Sequence, residues 1–76
     1  MKPLIEYMVN ALVKNRDSVK VIETIENGPD VYELKVSEQD LGRVIGKNGR
    51  TVHAMRTILS ASAKKTGRKI SIQVLD

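Results

Sequence analysis

The residues best suited to gripping an anion lie together in the segment 44–50, which reads Val-Ile-Gly-Lys-Asn-Gly-Arg. Glycine lets a backbone approach a ligand closely and adopt positive φ without steric cost. Helical sequence patterns flank the two glycines, so the segment predicts a tight corner between two helices. The first N–H groups of the second helix have no intrahelical acceptor and lie at the positive end of its dipole. The segment therefore predicts a phosphate site, although a plain turn between helices can also contain Gly-x-x-Gly.

The charge distribution also indicates an anionic partner. The 76-residue chain has a net charge of +4, yet residues 1–40 hold five basic and eight acidic side chains. Residues 41–75 hold eight basic side chains and no acidic one. The basic part coincides with the glycine segment. We therefore favour an anion bound there over the alternative of a solvated, lysine-rich helix face.

The composition argues against several other classes. The chain has no cysteine to form disulfides or thiolate metal sites, and its acidic residues lack metal-ligand spacing. The single histidine, His53, has no nearby carboxylate in sequence, and the glycine segment lacks the Gly-Lys-Ser/Thr ending of a nucleotide-binding P-loop. We expect no enzymatic activity, metal, cofactor or small-molecule substrate. No apolar run approaches the ~18 residues that span a bilayer, and no signal peptide is recognisable, so we expect a cytoplasmic protein without membrane association.

Sequence periodicity predicts elements in the order α-β-β-α-α-β. They are a leading helix 3–14, hairpin strands 19–25 and 31–37, a helix-GKNG-helix unit 38–66 and a last strand 69–75. The two-helix crossover permits the second and third strands to run parallel. We therefore predict a single α+β domain over residues 1–76, in which three helices cover one face of a three-stranded mixed sheet.

Local patterns refine this order. The run Glu26-Asn27-Gly28-Pro29-Asp30 is a dense turn signal between the hairpin strands. Ser37 followed by Asp40 has the form of an N-terminal helix cap. One face of the second loop-flanking helix is apolar and the opposite arc is polar. The apolar face has Val52, Met55, Leu59 and Ala63, and the polar arc has Arg50, His53, Thr57, Ser60 and Lys64, with Arg56 at the border.

The run Gly-Arg-Val-Ile-Gly-Lys-Asn-Gly-Arg-Thr at 42–51, followed by Ala-Met-Arg-Thr at 54–57, resembles the core motif of KH domains. The chain as a whole is similar to the small stand-alone bacterial KH proteins of the KhpA family, which have the type II arrangement. In KH domains the GXXG loop clamps about four backbone nucleotides. The resemblance implies single-stranded RNA binding, RNA-chaperone activity and association with a larger KH protein of the KhpB type. It also implies a role in cell length and peptidoglycan homeostasis, as in some members.

The loop is expected to hold the RNA backbone while neighbouring residues contact bases and further phosphates. Backbone N–H groups of residues 46–49 would bind successive phosphates. Bases would lie in a groove between the loop-flanking helices and the sheet, with an aliphatic floor of Val44, Ile45 and Val52, and Val36 as a further candidate. For each of these four residues taken singly, we favour a place in the ordinary core over a place in the groove. The predicted RNA-binding residues are Gly46, Lys47, Asn48, Gly49, Arg50, Arg43, Val44, Ile45, Val52, His53 and Arg56.

Two tyrosines without Phe or Trp cannot form the aromatic stacking platform of other RNA-binding folds. We therefore expect modest affinity, of the ~10⁻⁴ to 10⁻⁶ M that is typical of non-specific binding. A homodimer or a second KH partner would raise it through effective concentration. Ala54, Ile58 and Ala61 form a possible dimer interface on the long helix; equally, Ile58 is the margin of the core.

Two other functions remain open from the sequence. The chain could be a protein-interaction module whose basic helix binds an acidic protein surface. It could instead bind single-stranded DNA, because a backbone clamp makes no evident demand for the 2′-OH.

Overall fold

The computed structural model describes residues 1–25 and 28–75. Its helices are α1 (Lys2–Leu12), α2 (Glu38–Ile45) and α3 (Arg50–Lys64), and its strands are β1 (Lys20–Thr24), β2 (Asp30–Lys35) and β3 (Ile70–Leu75). Three-residue 3₁₀ turns precede β1 (Arg16–Ser18) and α3 (Lys47–Gly49). The predicted turn residues Glu26 and Asn27 lie outside the described residues.

The strands form one mixed sheet in the order β1-β2-β3. Strand β1 runs antiparallel to β2, with Val21 opposite Leu34, and β2 runs parallel to β3, with Tyr32 opposite Ile72. The α2–α3 crossover carries the chain from β2 back to the start of β3, as a parallel pair requires. The predicted α+β fold with a three-stranded mixed sheet is confirmed.

A single hydrophobic core fills the space between the helices and one sheet face. Alternate residues of β2 are buried, including Tyr32 and Leu34, so the strand turns one face to the helices. Burial raises the pKa of Tyr32 to about 12, with the Glu23 carboxylate as a second cause. The buried cluster contains Ile5, Val9, Val13, Val21, Tyr32, Leu34, Val36, Val44, Met55, Leu59 and Ile72. The opposite sheet face carries exposed side chains, among them the cross-strand pair Lys20 and Lys35.

The leading helix ends earlier than its apolar stripe suggests. The predicted helix runs to residue 14, whereas α1 ends at Leu12 and Val13 is extended, with φ −97° and ψ 157°. The next two amides leave the helix because they donate to the Asp40 carboxylate: Lys14 N to Oδ1 at 3.1 Å and Asn15 N to Oδ2 at 2.9 Å. A contact from α2 therefore sets this helix end.

Asp40 also changes the predicted cap of α2. Ser37 is the N-cap residue, but its hydroxyl donates to Asp40 Oδ2 at 3.0 Å and makes no side-chain cap to the helix amides. The Asp40 amide instead donates to the Ser37 carbonyl at 2.9 Å. Asp40 is 1% exposed and also accepts from Arg43 Nη1 at 3.0 Å. Its carboxylate thus joins the end of α1 to the first turn of α2.

The other end of the sheet is fixed by a second ion pair. The Arg68 guanidinium donates through Nε to Asp30 Oδ2 at 2.8 Å and through Nη2 to Asp30 Oδ1. The Asp30 amide donates to the Lys69 carbonyl at 2.9 Å. The Arg68 hydrogen bond, followed by the Arg68 charge, lowers the pKa of Asp30 although its partial burial opposes this.

Within residues 1–25 and 28–75, none of the helices is both long and apolar enough to cross a bilayer.

Candidate nucleic-acid interface

The glycine segment forms a tight corner between α2 and α3 whose backbone has positive φ at three positions. Gly46 has φ 78° and ψ 171°, Asn48 has φ 57°, and Gly49 has φ 74°. Asparagine is one of the few non-glycine residues that adopts the left-handed region readily. The Gly46 amide donates to the Gly42 carbonyl at 2.8 Å, and the Gly49 amide donates to the Gly46 carbonyl at 3.1 Å. The corner is therefore a defined hydrogen-bonded turn.

A side chain does not fit at Gly46. A Cβ built there would lie 2.1 Å from Thr51 Oγ1, 2.6 Å from Thr51 Cβ and 2.8 Å from Thr51 N. At Gly49 the same construction meets no atom within 4 Å. Gly46 is thus required by both its φ/ψ values and the close approach of α3, whereas Gly49 is required only by its φ.

Two consecutive amides of the corner remain free. The N–H groups of Lys47 and Asn48 donate to no acceptor among the residues that the structure describes. Both residues are exposed. Lys47 and Asn48 are followed by Gly49, the N-cap residue of the fifteen-residue helix α3, so the positive end of the α3 dipole lies at the same corner. Free N–H groups at such a position can bind a phosphate oxygen.

The arginines near the corner are placed differently from one another. Arg50 is exposed in the first turn of α3. Arg43 is held by hydrogen bonds from Nη1 to the Gln39 carbonyl at 3.1 Å and to Asp40. The Arg56 guanidinium donates to the Ile72 carbonyl of β3, from Nη2 at 3.0 Å and from Nε at 3.3 Å. A guanidinium has five N–H donors, so Arg56 keeps others available.

The predicted aliphatic floor is mostly core. Val44 is completely buried and Val52 and Val36 are each 7% exposed, so these three side chains offer almost no surface to a base. The structure places these three in the core, the alternative favoured for each singly, and not on the floor of a groove. Val44 and Val52 follow the helical period inward and pack α2 and α3 on the sheet, and Val36 continues the buried face of β2. Ile45 is half-buried beside Gly46, and His53 is exposed on the next turn of α3.

The open groove of this region lies instead along the seam between α3 and the free edge of β3. Its walls near the middle of α3 are Arg56, Ser60, Ile70, Ser71 and Ile72. The sequence predicted the polar arc that carries Ser60. It also predicted a groove between the helices and the sheet, but not which residues of the last strand would line it; these are Ile70, Ser71 and Ile72. We name this surface the α3–β3 groove.

The described residues contain no group of His, Asp and Glu side chains placed to hold a metal ion. The exposed Ala54, Ile58 and Ala61 lie on α3, and Ala61 also lines a depression together with the groove residues Arg56 and Ser60. Ile58 is 52% exposed and is not one of the residues that pack against the core.

Comparison with known proteins adds to this geometry. The model of the KhpA/KhpB KH-domain family matches residues 2–74. An RNA-binding protein KhpA of Borreliella burgdorferi is 41% identical over 96% of this chain and 89% of its own length. Those of Aquifex aeolicus and Thermotoga maritima are 40% and 41% identical, over 100% and 99% of this chain and 96% and 99% of their own lengths. No solved structure matches the chain.

Proposed function

The chain belongs to the KhpA/KhpB KH-domain family, which is not an enzyme family, and we propose that it binds single-stranded RNA through the corner from Gly46 to Gly49. The observation that carries the proposal is the pair of free amides at Lys47 and Asn48, set at the N-terminus of α3. The names of the relatives, each an RNA-binding protein, support the same function.

The chemistry of the corner favours the RNA backbone over base edges. Main-chain N–H groups and a lysine ammonium both match phosphate oxygens, and neither distinguishes one base from another. Arg50 and the exposed Lys47 add positive charge on either side of the amides. Ile45 offers a small apolar surface beside them. We therefore propose weak, salt-sensitive binding with little sequence preference, set chiefly by the number of phosphates contacted.

Loss of the clamp is expected when both exposed loop residues become acidic. Lys47→Asp with Asn48→Asp places two carboxylates against the incoming phosphate and should weaken RNA binding about 100-fold or more, since two charge-assisted contacts are lost. Aspartate tolerates the left-handed conformation of residue 48, and acids suit a helix N-terminus, so the fold should be retained. Binding of a labelled U/A-rich single-stranded RNA across a salt series measures the effect.

The control variant is Lys20→Glu with Gln39→Glu, which changes the net charge of the protein by the same amount as the loop variant. Both control positions are exposed and lie outside the corner. This control should lose only a few-fold in affinity. The clamp assignment fails if the folded loop variant binds the RNA as the control does.

RNA-chaperone activity is the role we propose for this kind of binding. A clamp that contacts few phosphates and no specific base releases its RNA readily, so it can hold a strand open without trapping one structure. Association of two KH domains, either as a homodimer or with a larger KhpB-type protein, would place two such clamps on one strand and raise the affinity.

Ala54, Ile58 and Ala61 are the surface that we propose for this association. Small residues around an exposed isoleucine allow a second helix to approach closely. Ile58→Asp is therefore expected to convert an associated protein to the 8.5 kDa monomer, measured by sedimentation equilibrium. Tyr7→Asp, which changes a 75% exposed residue on α1, should leave the mass unchanged. A folded Ile58→Asp protein with the mass of the parent would exclude this interface.

A further inference from the structure

Strand β1 has a free edge. It stands at one end of the sheet and pairs only with β2. Within residues 1–25 and 28–75, no backbone group of β1 is hydrogen-bonded to any element other than β2. An edge strand of this kind presents a row of unpaired N–H and C=O groups on its outer side. The main chain of β1 can therefore pair with one more strand.

Most of the exposed hydrophobic side chains in the described part of the chain lie near this edge. Six large hydrophobic residues are exposed there, and five of them belong to α1 and β1 or directly flank these elements. These five are Met1, Leu4, Tyr7, Ile22 and Ile25. Helix α1 packs over β1, and Met1 and Ile25 line one depression, so the two groups are neighbours. An exposed apolar surface of this kind marks an interaction site.

The charges of this surface indicate the class of partner. Together α1 and β1 hold two lysines and two glutamates, so the surface lacks the positive excess that favours RNA. Lys20 lies directly opposite Lys35 across the β1–β2 pair, and neither lysine takes part in an ion pair with the residues that the structure describes. Like charges at opposite positions destabilise a sheet. An acidic side chain on the free side of Lys20 would supply the missing counter-charge.

The alternation along β1 defines what an added strand must present. Lys20 and Ile22 are two positions apart, so they point to the same, outer face of the sheet, and Ile22 is 46% exposed. Side chains at opposite positions of neighbouring strands contact each other. The added strand therefore needs an acidic residue opposite Lys20 and an apolar residue opposite Ile22. Its other face would turn toward the side of α1, where Leu4 and Tyr7 are exposed.

We propose that the free edge of β1 binds an extended segment of a partner protein, in which an acidic and an apolar residue stand two positions apart. The segment adds a fourth strand to the sheet, with its main chain bonded to β1 and its side chains paired with Lys20 and Ile22. The corner at residues 46–49 and the association surface on α3 use other residues. The inference is therefore independent of the proposed RNA binding.

The test uses a cyclised β-hairpin peptide, in which the pairing strand is preorganised and reads Thr-Glu-Thr-Val-Thr-Glu-Thr. Its outer row, Glu-Val-Glu, is the same in both directions, so either orientation places Val opposite Ile22 and Glu opposite Lys20. A second peptide has lysine in place of both glutamates. In an NMR titration of the parent protein, the acidic peptide should shift the amide signals of residues 20–24 most and should bind more tightly than the lysine peptide.

Lys20→Glu should reverse this preference without loss of the fold. The variant turns the like-charge pair with Lys35 into an attractive one, so Tm should not fall. Affinity for the acidic peptide should fall roughly 2- to 30-fold, as a favourable cross-strand pair becomes a like-charge pair, and affinity for the lysine peptide should rise. Lys69→Glu is the matched control, because it makes the same charge change at an exposed position just before β3. Ile22→Thr should weaken binding of both peptides.

Equal affinity of the parent for the two peptides would overturn the inference, and so would equal effects of Lys20→Glu and Lys69→Glu. Absence of binding, or amide shifts centred outside β1, would overturn it as well. Shifts of the β1 amides that depend on protein concentration alone would assign the edge to a second copy of the chain. Shifts of the same amides on addition of RNA would assign it to RNA, and either result would exclude the proposed partner.

Discussion

Gly46→Ala is expected to lower Tm by roughly 10–40 °C, because strain and overpacking together cost about 2–5 kcal/mol in a domain of this size. The φ and ψ of Gly46 fall in a region that is almost restricted to glycine. In addition, the new methyl group would overlap the backbone nitrogen and Cβ of Thr51, neither of which can rotate away. RNA binding should be lost with the corner geometry. Thermal unfolding followed by circular dichroism, with RNA titration below Tm, measures both effects.

Two other glycines provide graded controls in the same protein. Gly49→Ala meets no neighbouring atom and suffers only the left-handed conformation, at a cost of about 1–2 kcal/mol. Gly42→Ala lies inside α2 in open space and should stabilise the protein by about 0.5–1 kcal/mol. From the highest Tm to the lowest, the expected order is therefore Gly42→Ala, parent, Gly49→Ala and Gly46→Ala. A Gly46→Ala protein as stable as Gly49→Ala would show that α3 can move away from the corner, contrary to this packing.

The glycine corner could be predicted because its determinants are local. These determinants are the spacing of the two glycines, the apolar residues on either side of them and the helical period of α3. The helix buries the four side chains that its periodicity predicts: Val52, Met55, Leu59 and Ala63. The mixed sheet followed from the order of the elements. Short-range pattern and connectivity therefore sufficed for the fold and for the position of the corner.

The sequence was less informative where a residue's role depends on a distant partner. Val44 shares the apolar motif of the corner, yet only the packed structure shows that its side chain is fully enclosed while Ile45 keeps some exposure. From the sequence Arg56 is a basic residue without an evident partner, but its guanidinium donates to the Ile72 carbonyl of β3, sixteen positions later in the chain. Burial and long-range hydrogen bonds arise from tertiary packing, which the local pattern does not encode.

Asp40 is the clearest such case, and its contacts explain the helix end that periodicity misplaced. The sequence suggested only a local cap with Ser37. In the structure its carboxylate accepts hydrogen bonds from the amides of Lys14 and Asn15, twenty-six and twenty-five positions earlier in the chain. The same carboxylate also receives donors from Ser37 and Arg43. Both oxygens are thus used as acceptors only, a requirement that a carboxylate meets and an amide does not.

Asp40→Asn is accordingly expected to lower Tm by about 10 °C at neutral pH, since hydrogen bonds to a buried charged group are lost together. One oxygen becomes an NH₂ donor that faces existing donors, so at least one buried N–H loses its acceptor. Asp17→Asn, at an exposed position in the preceding 3₁₀ turn, is the isosteric control and should change Tm little. Both variants are compared with the parent by thermal unfolding.

The pH dependence distinguishes lost hydrogen bonds from a general packing defect at Asp40. The amides of Lys14 and Asn15, then the Ser37 hydroxyl and the Arg43 charge, lower the pKa of Asp40 in the folded protein against the opposing effect of burial. A lowered folded pKa gives stability that is complete above the unfolded value of about 3.9 and is lost as pH falls toward the folded pKa. The gap in Tm between parent and Asp40→Asn should therefore be constant near neutral pH and narrow below about pH 4. Asp30 titrates in the same direction in both proteins, so it cancels from the comparison. A gap that stays constant down to the lowest pH at which both proteins fold would mean that the Asp40 charge does not hold α1 to α2.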